Sequence, residues 1–267
     1  MIRDITVGQY YPADSVLHRL DPRTKIFGTL LFIISLFLFH SVPGYILAGV
    51  FLGVVIALSK IPVKFIFKGL KAIFVILLFT AFFNMIFTPG EVVFKVWVIK
   101  VTKEGLILAG RMAVRLVFLV IGSSLMTLTT TPNQLTDGLE RSLRPLNKIH
   151  VPVHEISMMM SIALRFIPIL LEETDKIMKA QIARGADFEK GNIIQKAKNM
   201  IPLLVPLFIS AFRRANDLAM AMEARCYHGG DQRTQMKPLK YHRRDAAAYI
   251  IILVYFAAAV LSRVFGI

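Results

Sequence analysis

Two arginines occupy the same place in two copies of a short sequence pattern. The pattern is A-x-x-A-R followed by a small residue, and its copies end in Ala183-Arg184-Gly185 and Ala224-Arg225-Cys226. A guanidinium is a planar donor group that fits a carboxylate, and a helix C-terminus favours its charge. Two such helix ends could bind two equivalent acidic grooves. Two ordinary arginine caps would give the same pattern, so the triplets alone leave both interpretations open.

Residues that could perform catalysis are not grouped in the sequence. The carboxylates of 172–175 are spaced for ion pairs on a helix surface, and the histidines of 150–242 have no regular ligand spacing. No GxxxxGK[ST] motif is present, so ATP hydrolysis by a P-loop is not expected. The single Cys226 excludes an internal disulfide. These patterns predict a protein that is not an enzyme and has no metal or cofactor of its own.

The composition indicates contact with lipid. Hydrophobic residues make up 55% of the 267 residues, and the mean hydropathy is +0.61. Soluble domains are about 45–50% apolar even when glycine is counted. The net charge of +15 suggests nucleic acid, anionic lipid or an acidic protein as a partner. The basic residues alternate with apolar stretches and have little aromatic interleaving, which argues against nucleic acid.

Five apolar stretches predict membrane-spanning helices. They cover residues 26–41, 43–59, 72–87, 106–129 and 246–265. The first two are short and predict a tight helical hairpin, with a re-entrant pair as the alternative. Lys and Arg flank alternate ends of the spans, which predicts a multi-pass protein of the cell membrane with a cytoplasmic N-terminus and residues 131–244 in the cytoplasm.

Two features, one just before the fourth span and one inside it, are harder to interpret. Residues 88–105 have the pattern of a short external hairpin or strand. Arg111 and Arg115 share one face of the fourth span. Snorkelling of both side chains to the outer interface is the preferred interpretation, and a polar contact inside the helix bundle is the alternative.

Residues 131–244 predict three helices, over 132–146, 153–184 and 192–225. Thr131 is the expected N-cap of the first, and prolines are expected to bend the other two. These helices are apolar but interrupted, so amphipathic helices that pack on the membrane domain and on partners fit better than extra crossings. The sequence therefore predicts an all-α integral membrane protein with about five transmembrane helices and a cytoplasmic module of long amphipathic coupling helices. Its domains are 1–130 (four spans), 131–244 (the module) and 245–267 (the last span).

Several motifs occur in an order that resembles a known family. They are Asp21-Pro22-Arg23-Thr24-Lys25, Ala163-Leu-Arg165-Phe-Ile-Pro168, Ala183-Arg184-Gly185-Ala-Asp187-Phe188, Pro202-Leu-Leu-Val-Pro206-Leu-Phe and Ala221-Met-Glu-Ala224-Arg225. Together they resemble the transmembrane (T) component of energy-coupling factor transporters, and the resemblance covers nearly the whole chain. The length and the long basic segment look most like the T subunit that several substrate-binding proteins share.

The resemblance implies a role in vitamin or micronutrient uptake. In that family the T component lies between two ABC ATPases, which bind the ATP, and a membrane-embedded substrate-binding (S) protein. It implies that Arg184 and Arg225 enter grooves on the two ATPases, although Cys226 departs from the usual third residue of the second motif. The S protein would contact Ile156, Met159, Met160, Ala163, Phe166, Ile167, Leu170, Leu203 and Leu207. A stand-alone permease with its own substrate site is the alternative, and it predicts polar or broken helices near mid-membrane.

Overall fold

The computed structural model describes residues 10–39, 41–96, 99–188, 190–229 and 238–264. Its elements, in chain order, are α1 (Pro22–Leu38), α2 (Val42–Ser59), α3 (Val63–Phe87), β1 (Val92–Val96), β2 (Ile99–Thr102), α4 (Lys103–Thr129), α5 (Pro132–Leu143), a 3-10 helix (Arg144–Ile149), α6 (Val153–Ala183), α7 (Ile193–Asn199), α8 (Ile201–Glu223) and α9 (Arg243–Val264). These residues divide into two compact units. The membrane unit comprises Gly8–Leu139 with Leu239–Ile267, and the coupling unit comprises Glu140–Pro238.

The helices confirm the prediction of an all-α membrane protein with about five spanning helices. Within the described residues α2, α4, α6 and α9 are long and apolar enough to cross a bilayer, and α3 adds a fifth candidate that bends by 57° between Lys71 and Ile73. α1 has 17 residues, or about 26 Å, against a hydrocarbon core of about 30 Å. α6 also passes this test of length and composition. The sequence favours a place for it in the cytoplasmic module, because Arg165 and Pro168 interrupt its apolar stretch.

Asp245 joins the N-termini of the first and last helices of the membrane unit. Its carboxylate, 1% exposed, accepts the backbone N–H of Asp21, the N-cap of α1, and that of His242, just before α9, both at 2.8 Å. At the same end, the Lys25 ammonium donates to the carbonyl of Thr129, the last residue of α4, at 2.8 Å. The starts of α1 and α9 and the end of α4 therefore lie together, with the buried backbone groups satisfied.

Arg115 makes a polar contact inside the helix bundle, so the preferred expectation of snorkelling was wrong for this residue. Its guanidinium donates to the Tyr45 hydroxyl at 2.9 and 3.2 Å and to the Phe39 carbonyl at 3.2 Å. These contacts link α4 to the end of α1 and the start of α2. A charged side chain in a spanning helix is retained where protein groups replace water as hydrogen-bond partners. Arg111, four residues earlier, is exposed.

The core of the membrane unit lies among α1, α2, α4 and α9. Leu36, Ala48 and Ala259 are fully buried, and Phe51 stacks on Tyr255 with ring centroids 4.2 Å apart. The Tyr255 and Ser35 hydroxyls are hydrogen bonded to each other at 2.7 Å. Small residues let helices approach closely in a membrane. The hydrogen bond between the two hydroxyls satisfies two polar groups for which lipid offers no partner.

The predicted strand structure between α3 and α4 is confirmed. β1 and β2 pair antiparallel, and Thr102 at the end of β2 caps α4 by accepting the Gly105 N–H at 3.1 Å. The Glu104 carboxylate accepts the Glu91 N–H at 2.8 Å and so ties the base of β1 to the first turn of α4. Trp97, which the sequence pattern favours at the headgroup level of the membrane, lies outside the described residues.

The helices after α4 differ from the predicted ones in two places. The Thr131 cap is confirmed, since its hydroxyl accepts the Gln134 N–H at 3.3 Å, but the first helix ends at Leu143 and a 3-10 helix follows. The third predicted helix is two helices, because α7 ends at Asn199 and α8 begins at Ile201. Pro202 stands in the first turn of α8, where its missing N–H costs nothing, so it marks a helix start instead of a kink.

Candidate partner-binding site

The end of α6 is a Schellman motif built around Arg184. The N–H of Ala186 donates to the Gln181 carbonyl at 3.0 Å, and that of Gly185 to the Ile182 carbonyl at 2.9 Å. Gly185 has φ +88°, the left-handed conformation that this motif requires. Arg184 is thus the last residue before the chain reverses.

The end of α8 has the same hydrogen bonds around Arg225. The N–H of Tyr227 donates to the Met222 carbonyl at 3.1 Å, and that of Cys226 to the Glu223 carbonyl at 2.9 Å. Cys226 has φ +56° and so takes the left-handed position that Gly185 takes in α6. Arg184 and Arg225 therefore occupy equivalent positions in two equivalent helix ends.

The two sequence triplets have a structural explanation in this motif. All six residues of Ala183-Arg184-Gly185 and Ala224-Arg225-Cys226 are exposed. The small third residue is the one that must adopt positive φ, which explains why its side chain is absent or short. Neither guanidinium has a hydrogen-bond or ion-pair partner in the part of the chain that the structure describes. Two unpaired planar cations at exposed helix ends are suited to carboxylates on another protein.

Substitutions at the third residue should have opposite effects at the two ends. Nothing lies within 4 Å of a Cβ placed on Gly185, so Gly185→Ala should cost about 1 kcal/mol of unfolding free energy through backbone strain alone. Cys226→Gly should gain a similar, somewhat smaller amount, because glycine adopts positive φ freely. Thermal unfolding of the purified chain measures both.

Gly53→Ala is the matched control for the strain argument. Gly53 lies inside α2, and a Cβ there also meets nothing within 4 Å, but its φ is not positive. Alanine is favoured over glycine inside a helix, so this variant should unfold at the same or a higher temperature. An equal loss of stability in Gly185→Ala and Gly53→Ala would contradict the assigned role of Gly185.

Three polar contacts connect α6 with α7 and α8. The Arg214 guanidinium of α8 pairs with the Glu173 carboxylate of α6. Nearer the motif ends, the Gln181 side chain donates to the Pro202 carbonyl at 3.4 Å, and the Asn199 side chain to the Asp187 carbonyl at 2.8 Å. The helices α6, α7 and α8 are therefore joined by side-chain contacts.

Most of the residues predicted to contact an S protein are accessible on α6. Ile156, Met159 and Met160 are 42–58% exposed. Ala163 and Ile167 are exposed on the same helix face, whereas Phe166 and Leu170 are half-buried. The two predicted contact residues on α8 are less accessible. Leu203 is buried at 4% exposure, and Leu207 is half-buried.

The exposed apolar side of α8 lies in the same stretch of sequence as Leu203 and Leu207. Its members recur at helical spacing and are 45–65% exposed: Ile201, Leu204, Val205, Phe208, Ile209 and Phe212. Because prolines and leucines alternate at the start of α8, the sequence pattern does not indicate which side of this helix packs inward. Contacts of either face with another protein stay a prediction.

The comparisons with known proteins agree with this architecture. A family model described as cobalt transport protein (CbiQ) matches residues 13–236. Curated relatives described as energy-coupling factor transporter transmembrane protein EcfT include that of Clostridium kluyveri, 58% identical over 266 residues, which are 99% of this chain and 98% of the relative. The corresponding proteins of Thermosediminibacter oceani (50%; 98% and 99% covered) and Bacillus subtilis (46%; 96% and 97% covered) are also similar over nearly their whole lengths.

The fold is that of a helical membrane protein, and the similar proteins are components of transport systems. The chain belongs to the CbiQ family and, within it, to the energy-coupling factor transporter transmembrane proteins. The family resemblance of the ordered sequence motifs is thereby confirmed.

Proposed function

We propose that this chain is the transmembrane coupling subunit of an ECF-type ABC importer. It transmits the ATP-driven motion of two ATPase subunits to a separate S protein that binds a vitamin or another micronutrient. The observation that carries the proposal is the pair of identical Schellman ends, which expose Arg184 and Arg225 without a partner among the described residues. Two equivalent ends suit two equivalent sites, as a pair of related ATPases would provide.

The helices behind the arginines are suited to transmit motion. α6 has 31 residues and α8 has 23, so they extend about 46 and 35 Å. Pro168 and Pro206 lie inside them and provide points at which they can bend. Because Arg214 pairs with Glu173, displacement of one helix end is resisted by the other helix.

The exposed apolar faces of α6 and α8 are the surfaces that we propose for the S protein. Methionines at positions 159 and 160 offer flexible, polarizable side chains, which suit a surface shared by several S proteins. Phe208 and Phe212, with ring centroids 6.1 Å apart, extend the apolar area on α8. A membrane-embedded partner would cover these side chains, which lipid or water must cover otherwise.

Orientation is part of the proposal. The starts of α1 and α9 and the end of α4 lie together and carry Arg23, Lys25, Arg243 and Arg244, so the positive-inside rule assigns this end to the cytoplasm. The coupling unit is then cytoplasmic and the strands β1 and β2 external.

Cysteine labelling tests this orientation. In a Cys226→Gly background, a cysteine replacing Glu91 should react with an impermeant reagent outside intact cells, and one replacing Lys198 should not. Both positions are exposed, so access to the reagent depends on the side of the membrane. Labelling of Lys198→Cys from outside would reverse the assignment.

A reconstitution experiment separates the coupling subunit from the stand-alone permease. Purified with its two ATPases but without an S protein, the chain should show no saturable vitamin binding across a panel of radiolabelled vitamins. Addition of the S protein should restore binding and ATP-dependent uptake. The cavities of the membrane unit are lined mainly by apolar side chains, which favours the first outcome. Saturable binding without an S protein would support the permease.

A further inference from the structure

A cavity of about 330 Å³ opens between α1, α2, α4 and α9 in the membrane unit. Its walls include Phe32, Phe51, Leu125 and Ile252. Well-packed interiors leave few voids larger than a water molecule, and small-ligand sites begin at about 300 Å³. The size is therefore that of a binding site and not that of a packing defect.

The cavity reaches the outer surface of the helix bundle. Leu58 of α2 and Ile251 of α9 both line it, and they are 47% and 59% exposed. An apolar opening between two spanning helices faces the hydrocarbon of the bilayer. Water does not fill apolar cavities readily, because it needs polar partners. A molecule that occupies the cavity would therefore come from the lipid bilayer.

One part of the cavity wall is cationic, since Lys25 and Arg244 line it too. Lys25 is buried, and its ammonium donates to two neutral carbonyls, of Thr129 at 2.8 Å and His18 at 3.4 Å. Two of the three N–H donors of the Lys25 ammonium are used, and neither of these two donors contacts a carboxylate. The Asp21 carboxylate is already engaged with Arg23, and that of Asp245 with two backbone N–H groups.

Arg244 is exposed in the first turn of α9 and has no hydrogen-bond or ion-pair partner among the described residues. Its charge lies at the positive end of the helix dipole, an unfavourable place for a cation. An anion between Arg244 and Lys25 would compensate both charges and the dipole.

We propose that the cavity holds one acyl chain of an anionic phospholipid, whose phosphate group lies against Arg244 and Lys25. The apolar walls take the chain, and the cations select the headgroup. The opening between α2 and α9 lets the second acyl chain remain in the bilayer. None of the residues that line the cavity belongs to α6 or α8, so the proposal does not depend on the function of those helices.

Native mass spectrometry of the full chain in detergent tests headgroup selection. Phosphatidylglycerol should be retained in preference to phosphatidylcholine with the same acyl chains. Arg244→Gln should weaken phosphatidylglycerol binding about fivefold, since a basic residue near a lipid surface contributes about 1 kcal/mol. Arg243→Gln is the matched control, because Arg243 is also exposed and adjacent but does not line the cavity. Equal retention of the two lipids, or equal effects of the two variants, would overturn the proposal.

A second pair of variants tests the acyl-chain position. Ala248 lines the cavity and is half-buried, whereas Ala246 is exposed and does not line it. Ala248→Phe should fill the space and reduce phosphatidylglycerol binding at least fivefold, and Ala246→Phe should not. A phosphatidylglycerol with a photoreactive acyl chain should label Leu125 or Ile252 in the wild-type chain. Labelling confined to α3, which does not line the cavity, would contradict the assigned position. Undiminished phosphatidylglycerol binding by folded Ala248→Phe would contradict it as well.

Discussion

Replacement of both Arg184 and Arg225 by alanine should abolish vitamin uptake by the assembled transporter while the chain itself stays folded. Both side chains are exposed, and both motifs are held by backbone hydrogen bonds that alanine retains. A charge-assisted hydrogen bond contributes about 1.5–3 kcal/mol, so each single variant should weaken one ATPase contact roughly ten- to a hundredfold. Uptake and co-purification of the ATPases measure the effect.

Two comparisons make the experiment specific. Arg184→Lys and Arg225→Lys should recover little activity, because an ammonium lacks the planar pair of donors. Arg213→Ala removes an exposed arginine from α8 away from its end and should leave assembly and uptake close to wild type. If the double alanine variant transports like wild type, the two arginines are only helix caps.

The sequence predicted the parts of the fold that depend on local patterns. Apolar stretches located α2, α4 and α9, and Thr131 as the expected N-cap located the start of α5. The two arginine triplets were recognised because helix ends have their own sequence signals. Their left-handed third residue was not predicted at Cys226, because a non-glycine residue seldom adopts positive φ.

Features that depend on tertiary contacts were predicted poorly. Snorkelling and an internal contact both fit the position of Arg115, and only the placement of Tyr45 and the Phe39 carbonyl decides between them. The inward side of α8 likewise depends on packing, so the sequence pattern does not show that Leu203 is buried and Phe208 exposed. Periodicity identifies the faces of a helix but not which of two apolar faces is covered.

The membrane unit contains a comparable long-range contact in which a single side chain joins two helix starts. Asp245 is 1% exposed and accepts backbone N–H groups of Asp21 and His242, which belong to the starts of α1 and α9. Asp21 in turn caps α1 and pairs with Arg23 at 2.9 Å. The Asp-Pro-Arg-Thr-Lys motif of the family resemblance therefore has a structural role at the junction of the first and last spans.

Asp245→Ala should consequently be among the most destabilising single substitutions in the chain. It removes two hydrogen bonds to a charged acceptor and leaves the buried N–H of Asp21 without a partner, at a combined cost of about 3–5 kcal/mol. Asp245→Asn should cost less, since one of its two carboxylate oxygens remains an acceptor while the other is replaced by a donor.

Thermal unfolding in detergent, with monodispersity as a second measure, tests the role of Asp245. Asp217→Ala is the matched control, because Asp217 is an exposed aspartate on α8, and its removal should change the unfolding temperature little. The order of unfolding temperatures should be wild type and Asp217→Ala, then Asp245→Asn, then Asp245→Ala. A melting temperature of Asp245→Ala equal to that of the control would show that the starts of α1 and α9 are held together by apolar packing, and that the buried carboxylate is dispensable.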